Sequence, residues 1–205
     1  VHDEFVSKLT QRARAMKLGD GRKKGTDVGP LVSEASLKKV ERYVDIGVKE
    51  GADLLCGGRR ATGSDLKNGF FFEPTIFARV EAGMRIEQEE IFGPVLSVIR
   101  FRSADEAFSI NNGVKYGLSS SVYTQNVGIA FRALNELDNG ITYINAPTIG
   151  AEAHLPFGGV KQTGNGHREG GWEVYEFYSE TKVGYVDFSG QLQRAQIDNY
   201  LGTPD

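Results

Sequence analysis

The chain has little of several features that define large classes of protein. It contains one cysteine, Cys56, which excludes an internal disulfide framework and favours a reducing compartment, so we expect a cytoplasmic protein. No stretch approaches the ~20 uninterrupted apolar residues of a membrane-spanning helix, and no membrane association is expected. The 24 lysines and arginines are interspersed with 27 acidic residues, so the sequence predicts no basic face for nucleic acid.

Histidine is also scarce, and its positions argue against a metal site. His2, His154 and His167 are the only three, and none has a partner at the spacing of metal ligands. We therefore expect no metal. His167, within "GNGHREGG", is interpreted as a residue that packs the loop.

The residues that are present predict an α/β protein. Of its 205 residues 40% are hydrophobic and 25% charged, an ordinary globular mixture. An apolar stripe from Val1 to Met16 predicts a helix at the very start, without a preceding cap. This start favours a piece of a longer polypeptide, and a trimmed amino terminus is the alternative. A second helix is predicted between Ser33, as its N-cap, and Gly51.

The next segments indicate strands. "DLLCGG" is a short apolar run closed by glycines, which predicts a buried strand of the kind found in parallel sheets. "GFFFEPTIFARV" is aromatic and β-branched, hence extended, although Pro74 argues against a fully paired central strand.

From Val95 onward, strand and helix patterns alternate regularly. "VLSVIRF", "LSSSVYT" and "ITYIN" predict strands. Between them, "SADEAFSINNG" predicts a helix capped by Ser103, and "NVGIAFRALNELDNG" predicts a helix that ends at Gly140. Such alternation predicts right-handed crossovers on a parallel sheet, whose ligands collect at the carboxyl ends of strands. Asn145 and the glycine-rich loop after it are therefore the first candidate site. "WEVYEFYSE" predicts a short helix and "TKVGYVDF" an alternating strand.

Three ordered stretches resemble the aldehyde dehydrogenase superfamily. They are "EQEEIFGPVLSVIRF", "NNGVKYGLSSSVYT" and "YINAPTIGAEAHLPFGGVKQTGNGHREGG", followed by "YSETKV". The resemblance covers Val1 to about Phe188 and matches the family's carboxyl-terminal part. It implies an α/β parallel-sheet catalytic domain, present in part over residues 1–178, and a carboxyl-terminal strand and tail at 179–205 used in homo-oligomer assembly as a dimer or tetramer.

The resemblance also implies a reaction and what this chain lacks for it. In the family a cysteine thiolate attacks the aldehyde, hydride passes to NAD or NADP, and a glutamate activates the water that hydrolyses the thioester. The family's nucleophilic cysteine and general-base glutamate match no position of this sequence and are expected before Val1. No catalytic residue is therefore assigned, and the 205-residue chain alone is expected to be inactive and to bind cofactor weakly or not at all.

Six residues match family positions that contact small molecules. Glu90 and Phe92 match the motif residues that contact the nicotinamide ribose and ring, and Lys39 matches a position near the adenosine ribose. Asn145 and Phe157 match the segment that lines the aldehyde entrance. The loop text is most similar to enzymes of aminoadipic semialdehyde and related aldehydes, and Glu152 is expected near the entrance. Solvated charges at Glu89, Glu90 and Lys39, and plain core aromatics at Phe92 and Phe157, are the structural alternatives.

Two rival hypotheses assign this chain a different role. In one it is a non-catalytic domain of the same fold that binds or oligomerises through "TKVGYVDF", because an unpaired strand seeks a partner. In the other, Cys56 is the nucleophile of a free-standing thiol enzyme. That role requires a nearby base, and no histidine lies close in sequence, so Cys56 is interpreted as a small apolar residue.

Overall fold

Two amphipathic helices open the chain, as predicted. The computed structural model describes residues 1–63, 65–150 and 152–190. Helix α1 spans His2–Ala15 and helix α2 spans Glu34–Lys49. The Ser33 hydroxyl accepts a hydrogen bond of 3.2 Å from the backbone N–H of Ser36, which confirms Ser33 as the N-cap of α2.

The first sheet has three strands in the order β1-β2-β3. They are Asp53–Cys56, Thr75–Val80 and Val95–Ile99. Strand β2 runs parallel to β3, but β1 is antiparallel to β2 and lies at the edge. The prediction of a buried parallel strand at "DLLCGG" is therefore wrong. Because no helix separates β1 from β2, the chain turns back beside itself instead of crossing over.

The aromatic segment forms the central strand of this sheet. Strand β2 is paired on both sides, contrary to the expectation drawn from Pro74. Pro74 immediately precedes Thr75, so its missing N–H is outside the ladder. One face of the sheet packs on α2, and Gly47 permits the close approach, since a Cβ there would lie 3.1 Å from Phe77 Cζ of β2. The buried cluster comprises Leu37, Val40, Tyr43, Val44, Ala52, Phe72, Phe77, Val80, Ile86 and Ile91.

The second half alternates helices and strands. Helix α3 (Arg85–Gln88) precedes β3, and α4 (Ala104–Asn112), β4 (Tyr116–Gly117) and β5 (Ser119–Val122) follow it. Helix α5 (Val127–Glu136) then leads to β6 (Ile141–Ile144), which is parallel to β5 as predicted for a helical crossover. Strand β7 (Val160–Lys161) pairs with β4. Within the described ranges β3 and β5 do not pair with each other, so the predicted alternation is divided between two sheets.

The strand predicted at residues 181–188 is not formed within the described part of the chain. Helix α6 (Glu173–Tyr178) occurs where a short helix was predicted. "TKVGYVDF", predicted as a strand, has no regular structure and exposes Tyr185 and Phe188. A strand requires backbone hydrogen bonds to a neighbour, and no described segment pairs with this one. Residues 191–205 of the predicted tail lie outside the described part. No helix among the described residues is long and apolar enough to span a bilayer.

Candidate cofactor and substrate site

An open cavity of about 590 Å³ lies where the Glu89–Gly93 turn faces the second half of the chain. Both Glu90 and Phe92 line it, beside Glu89 and Gly93. Apolar residues contributed by α3, the turn, α4 and the loop after it form much of the wall: Ile86, Ile91, Ile110 and Val114. Two of the three predicted cofactor residues therefore share one cavity, whose lining combines the carboxylates of Glu89 and Glu90 with apolar side chains.

Glu89 is the best-anchored side chain of this turn. Its carboxylate accepts a hydrogen bond of 2.6 Å from the hydroxyl of Tyr43 and two from Arg85, at 3.0 and 2.9 Å. The hydrogen bonds from Arg85, then that from Tyr43, stabilise the charged form and lower the Glu89 pKa to about 2. The expectation of a simply solvated acid at Glu89 is therefore wrong, because α2 and α3 both supply donors to it.

The next residues of the turn include Glu90 and Phe92, and both side chains face the solvent. Ile91 is buried in the core, whereas Glu90 is exposed and Phe92 is 76% exposed, so Phe92 is not a core aromatic. Phe92 has a left-handed backbone with φ of 57°, which is uncommon for a bulky residue and stores strain. Gly93 allows the turn to press on α2, because a Cβ there would collide with Val40. The packed turn thus holds the Phe92 ring outward.

Lys39 does not line this cavity. Its Nζ lies 5.8 Å from the centre of the Tyr43 ring, one helical turn along α2. Arg85 approaches the same ring at 5.8 Å. Lys39 is thereby linked to the cavity through Tyr43 and Glu89, and its predicted contact with the adenosine ribose stays a prediction.

Asn145 lies at the carboxyl end of β6 and uses its amide to hold a neighbouring loop. Its Oδ1 accepts from the Thr124 N–H at 2.8 Å, and its Nδ2 donates to the Thr124 carbonyl at 2.9 Å. Its backbone is left-handed, with φ of 54°, a region in which asparagine is enriched. Asn145 thus joins the carboxyl ends of β5 and β6, where the family resemblance predicts the substrate entrance.

The long loop after Asn145 is folded, as the aromatic content of the segment predicts. Phe157 is half-buried and pairs its backbone with Glu169 at 2.6 and 2.8 Å. The His167 ring makes an edge contact with Phe177 at 5.3 Å, in agreement with a loop-packing role. Glu152 is exposed, and its backbone carbonyl accepts a hydrogen bond of 2.9 Å from the Leu155 N–H. Asn145, Glu152 and Phe157 do not line the cavity of Glu90, so the structure does not bring the predicted substrate residues together with Glu90.

Cys56 lies at the end of β1, half-buried, with its Sγ 3.7 Å from the Pro74 carbonyl. A cavity of about 590 Å³ beside it is lined by Arg14, Arg59 and Glu73, with no histidine. That cavity therefore holds no histidine base, and its carboxylate, Glu73, is paired with Arg59 at 3.0 Å. In the described residues no three histidine, cysteine or acidic side chains cluster as metal ligands do.

Two functional features had no detectable sequence signal. The Tyr43–Glu89 contact joins residues 46 positions apart. Lys161, with a left-handed φ of 56°, donates to the carbonyls of Asn112 and Val114 at 2.9 and 3.0 Å and lies 3.1 Å from Asp138. Both link distant segments around the cavity, and only the folded chain shows them.

The fold and cavity define an α/β domain with parallel strands and an exposed carboxylate–aromatic pair, a class that includes nucleotide-dependent enzymes. The family model described as the aldehyde dehydrogenase family matches residues 1–183. The chain belongs to the aldehyde dehydrogenase family.

Individual relatives agree with this assignment. The chain is 43% identical over 187 residues to a betaine aldehyde dehydrogenase of Bacillus subtilis, covering 90% of this chain and 37% of that protein. It is 39% identical over 186 residues to an alpha-ketoglutaric semialdehyde dehydrogenase of the same organism, covering 91% and 38%. The crystal structure of a Staphylococcus aureus betaine aldehyde dehydrogenase in complex with NAD+ superposes with a TM-score of 0.82 at 40% identity, covering 86% of this chain and 35% of that one. The chain thus spans little more than a third of the length of these relatives.

Proposed function

We propose that this chain forms the carboxyl-terminal part of an NAD(P)-dependent aldehyde dehydrogenase, an enzyme that oxidises an aldehyde to a carboxylic acid. Family membership and the exposed pair Glu90–Phe92 on an anchored turn support the proposal. Within it, Glu90 and Phe92 receive the nicotinamide half of the cofactor. The aldehyde enters beside the loop from Asn145 to Phe157.

The residues of the turn fit the proposed cofactor. Glu90 has no hydrogen-bond or ion-pair partner among the described residues, so its carboxylate is free to accept hydrogen bonds from two ribose hydroxyls. The exposed Phe92 ring offers an apolar surface that limits the positions of a bound nicotinamide. When bound, NAD+ or NADP+ accepts the hydride that the aldehyde releases. The left-handed backbone at Phe92 sets the direction in which the side chain leaves the turn.

The proposed substrate is an aldehyde whose tail is charged. Glu152 and His154 are exposed on the loop after β6, where a polar tail would find partners. Relatives named for betaine aldehyde and for alpha-ketoglutaric semialdehyde both act on aldehydes with charged groups. The loop resemblance to enzymes of aminoadipic semialdehyde points to the same chemical class.

We propose that the reaction needs residues outside this chain. Cys56 is the only cysteine, and its cavity holds no histidine base. Loss of the group that makes the reacting bond removes many orders of magnitude in rate. The isolated chain is accordingly expected to lack turnover, and with one face of the cofactor cavity open it is expected to bind NAD+ poorly.

A chimera tests this function. The chain replaces the matching segment of the Bacillus subtilis betaine aldehyde dehydrogenase, and reduction of NAD+ with betaine aldehyde is followed at 25 °C. Turnover by the chimera and none by the isolated chain supports the proposal. Turnover by the isolated chain, abolished by Cys56→Ser, would instead support a thiol enzyme built on Cys56. A folded, soluble chimera without activity contradicts the proposed function.

A second candidate, assembly through the carboxyl-terminal segment, is favoured by one observation. Residues 181–188 expose Val183, Tyr185, Val186 and Phe188 and form no strand within the described chain. We propose that this segment pairs with another copy in a homo-oligomer, since unpaired strands are open to augmentation. Light scattering measures the mass, and a strict monomer at micromolar concentration argues against it. For both candidates the proposed compartment is the reducing cytoplasm.

A further inference from the structure

Four asparagines of the sequence are each followed directly by glycine: Asn68, Asn112, Asn139 and Asn165. The backbone nitrogen of the residue after an asparagine can attack the side-chain carbonyl carbon and close a succinimide ring. Glycine favours this attack, because it has no Cβ to hinder the approach of its nitrogen. All four pairs therefore have the sequence that the reaction requires, and the folded structure decides which of them reacts.

Three of the four glycines have a backbone nitrogen that is already hydrogen-bonded. Their N–H groups donate at 2.9–3.0 Å to backbone carbonyls, from Gly69 to Leu66, from Gly113 to Ser109 and from Gly140 to Gly117. Such a nitrogen must first leave its hydrogen bond, through a local opening of the fold, before it can lose its proton and attack. The folded structure thus protects these three pairs.

The fourth glycine, Gly166, differs from the others. Its N–H has no hydrogen-bond acceptor among the described residues, and both Asn165 and Gly166 are exposed. A Cβ built on Gly166 would meet no atom within 4 Å, so the nitrogen is not crowded by a neighbouring segment. Exposure alone does not separate the pairs, because Asn68 is exposed as well. The distinguishing feature is the free N–H of Gly166.

The side chain of Asn165 is also held close to this nitrogen. Its Oδ1 accepts a hydrogen bond of 3.2 Å from the His167 N–H. That hydrogen bond closes a ring of atoms that contains both Asn165 Cγ and the Gly166 nitrogen, the two atoms that would react. The same N–H stabilises the negative charge that forms on Oδ1 during the attack, as the donors of an oxyanion hole do in acyl transfer. The loop thus supplies an unbonded nucleophile beside a polarised carbonyl.

We propose that Asn165 is a site of spontaneous deamidation directed by the structure of its loop. The Gly166 nitrogen forms a bond to Asn165 Cγ, the bond from Cγ to Nδ2 breaks, and the proton of the Gly166 nitrogen ends on Nδ2, which leaves as ammonia. Water then opens the succinimide at one of its two carbonyls and gives aspartate or isoaspartate. The net change consumes one water and releases one ammonia, without oxidation or reduction. It adds one negative charge to the formal net charge of −3.

The modified residue lies inside a closed loop. Phe157 and Glu169 pair through their backbones at 2.6 and 2.8 Å, and Arg168 donates to the Gly159 carbonyl at 2.8 Å. Isoaspartate carries the main chain through its side chain and so lengthens the segment between these contacts. We therefore expect faster hydrogen exchange at the Phe157 and Glu169 amides of the isoaspartate form, separated by ion exchange. Equal exchange in both forms would contradict this effect on the loop.

The experiment incubates the folded 205-residue chain in mildly alkaline buffer and follows each asparagine–glycine pair by peptide mass spectrometry. Asn165 should deamidate about tenfold faster or more than the other three asparagines, whose glycine nitrogens must first be released. A parallel incubation in guanidinium chloride unfolds the chain and should remove most of this difference. Equal rates in the folded chain would overturn the proposal. The same advantage of Asn165 in the unfolded chain would also overturn it, since the loop would then have no part in the reaction.

Matched glycine substitutions test the identity of the nucleophile. Gly164 and Gly166 both have left-handed backbones, with φ of 77° and 91°, and both have open surroundings. Gly166→Ala places a Cβ beside the attacking nitrogen and should slow deamidation severalfold, whereas Gly164→Ala should leave its rate nearly unchanged. Equal rates in the two folded variants would contradict the role of the Gly166 nitrogen. If Gly166→Ala does not fold, the four pairs of the unaltered chain decide. Aspartate without any isoaspartate would indicate direct hydrolysis and overturn the succinimide route.

Discussion

The hydroxyl of Tyr43 donates a hydrogen bond of 2.6 Å to Glu89, and this contact ties helix α2 to the turn that presents Glu90 and Phe92. Arg85 donates to the same carboxylate from α3. The Tyr43 ring is buried in the cluster beneath α2, so the position of its hydroxyl is fixed by the core. The orientation of the Glu89–Gly93 turn therefore depends on a residue that does not itself face the cavity.

Removing this hydroxyl should loosen the turn. In Tyr43→Phe the ring stays in the core, while Glu89 keeps only Arg85, so the midpoint of thermal unfolding should fall by roughly 2–6 °C. Circular dichroism measures the midpoint. Tyr185→Phe, at an exposed tyrosine, is the control and should leave it unchanged. An unchanged midpoint in Tyr43→Phe would mean that the hydrogen bond contributes nothing to holding α2.

The low pKa of Glu89 predicts an acid dependence of stability. Because its pKa is about 2 in the folded chain against an ordinary value of 4.5, folding favours the charged form. The resulting stabilisation is complete above pH 4.5 and is lost as the pH falls toward 2. Urea unfolding midpoints from pH 2.5 to 6 should therefore fall more steeply in the unaltered chain than in Glu89→Gln. Parallel pH profiles would show that the carboxylate is not stabilised in this way.

Asn145 combines a left-handed backbone with two side-chain hydrogen bonds. Asn145→Gly removes both hydrogen bonds to Thr124, but glycine adopts a positive φ without strain. Asn145→Ala removes the same hydrogen bonds and leaves a side chain in the left-handed backbone conformation. The alanine variant should be less stable than the glycine variant by about 1 kcal/mol in free energy of unfolding. Urea titration of both variants gives the difference. An alanine variant more stable than the glycine variant would show that the left-handed backbone of Asn145 is not needed to hold the loop at Thr124.

Lys161 should stabilise the junction of α4 and β4. Its side chain is 19% exposed, and Lys161→Met leaves the Asn112 and Val114 carbonyls without their donor. Loss of hydrogen bonds to a charged group should lower the free energy of unfolding by about 1.5–3 kcal/mol. Lys182→Met, at an exposed position, is the control and should change it by less than about 0.5 kcal/mol. Equal effects of the two substitutions would contradict this role.

Local patterns predicted the local structure well. Ser33 and Ser103 cap helices, and α5 carries the chain from β5 to a parallel β6. These features depend on residues close in sequence, where periodicity and capping chemistry act directly. The family resemblance singled out Glu90 and Phe92, which line one cavity, and their contact with a cofactor stays a prediction.

The failures occur where pairing between distant segments decides the structure. The apolar run at β1 could not reveal an antiparallel edge, because the direction of pairing depends on the connection to β2. The segment 181–188 has strand periodicity but no partner among the described residues. Glu89 appeared solvated because its partner Tyr43 is brought near only by the packing of α2. Sequence periodicity predicts which face of a helix or strand is buried, but it does not predict which other segment packs against that face.

The most direct test of the cofactor role is the kcat/KM for NAD+ in the Bacillus subtilis chimera with Glu90→Gln. Loss of hydrogen bonds from ribose hydroxyls to a carboxylate should lower it by about 10- to 100-fold. Glu81→Gln replaces an exposed glutamate outside the cavity and should leave it unchanged. Equal kcat/KM values for the Glu90→Gln and Glu81→Gln chimeras would contradict the assignment of Glu90 to the cofactor.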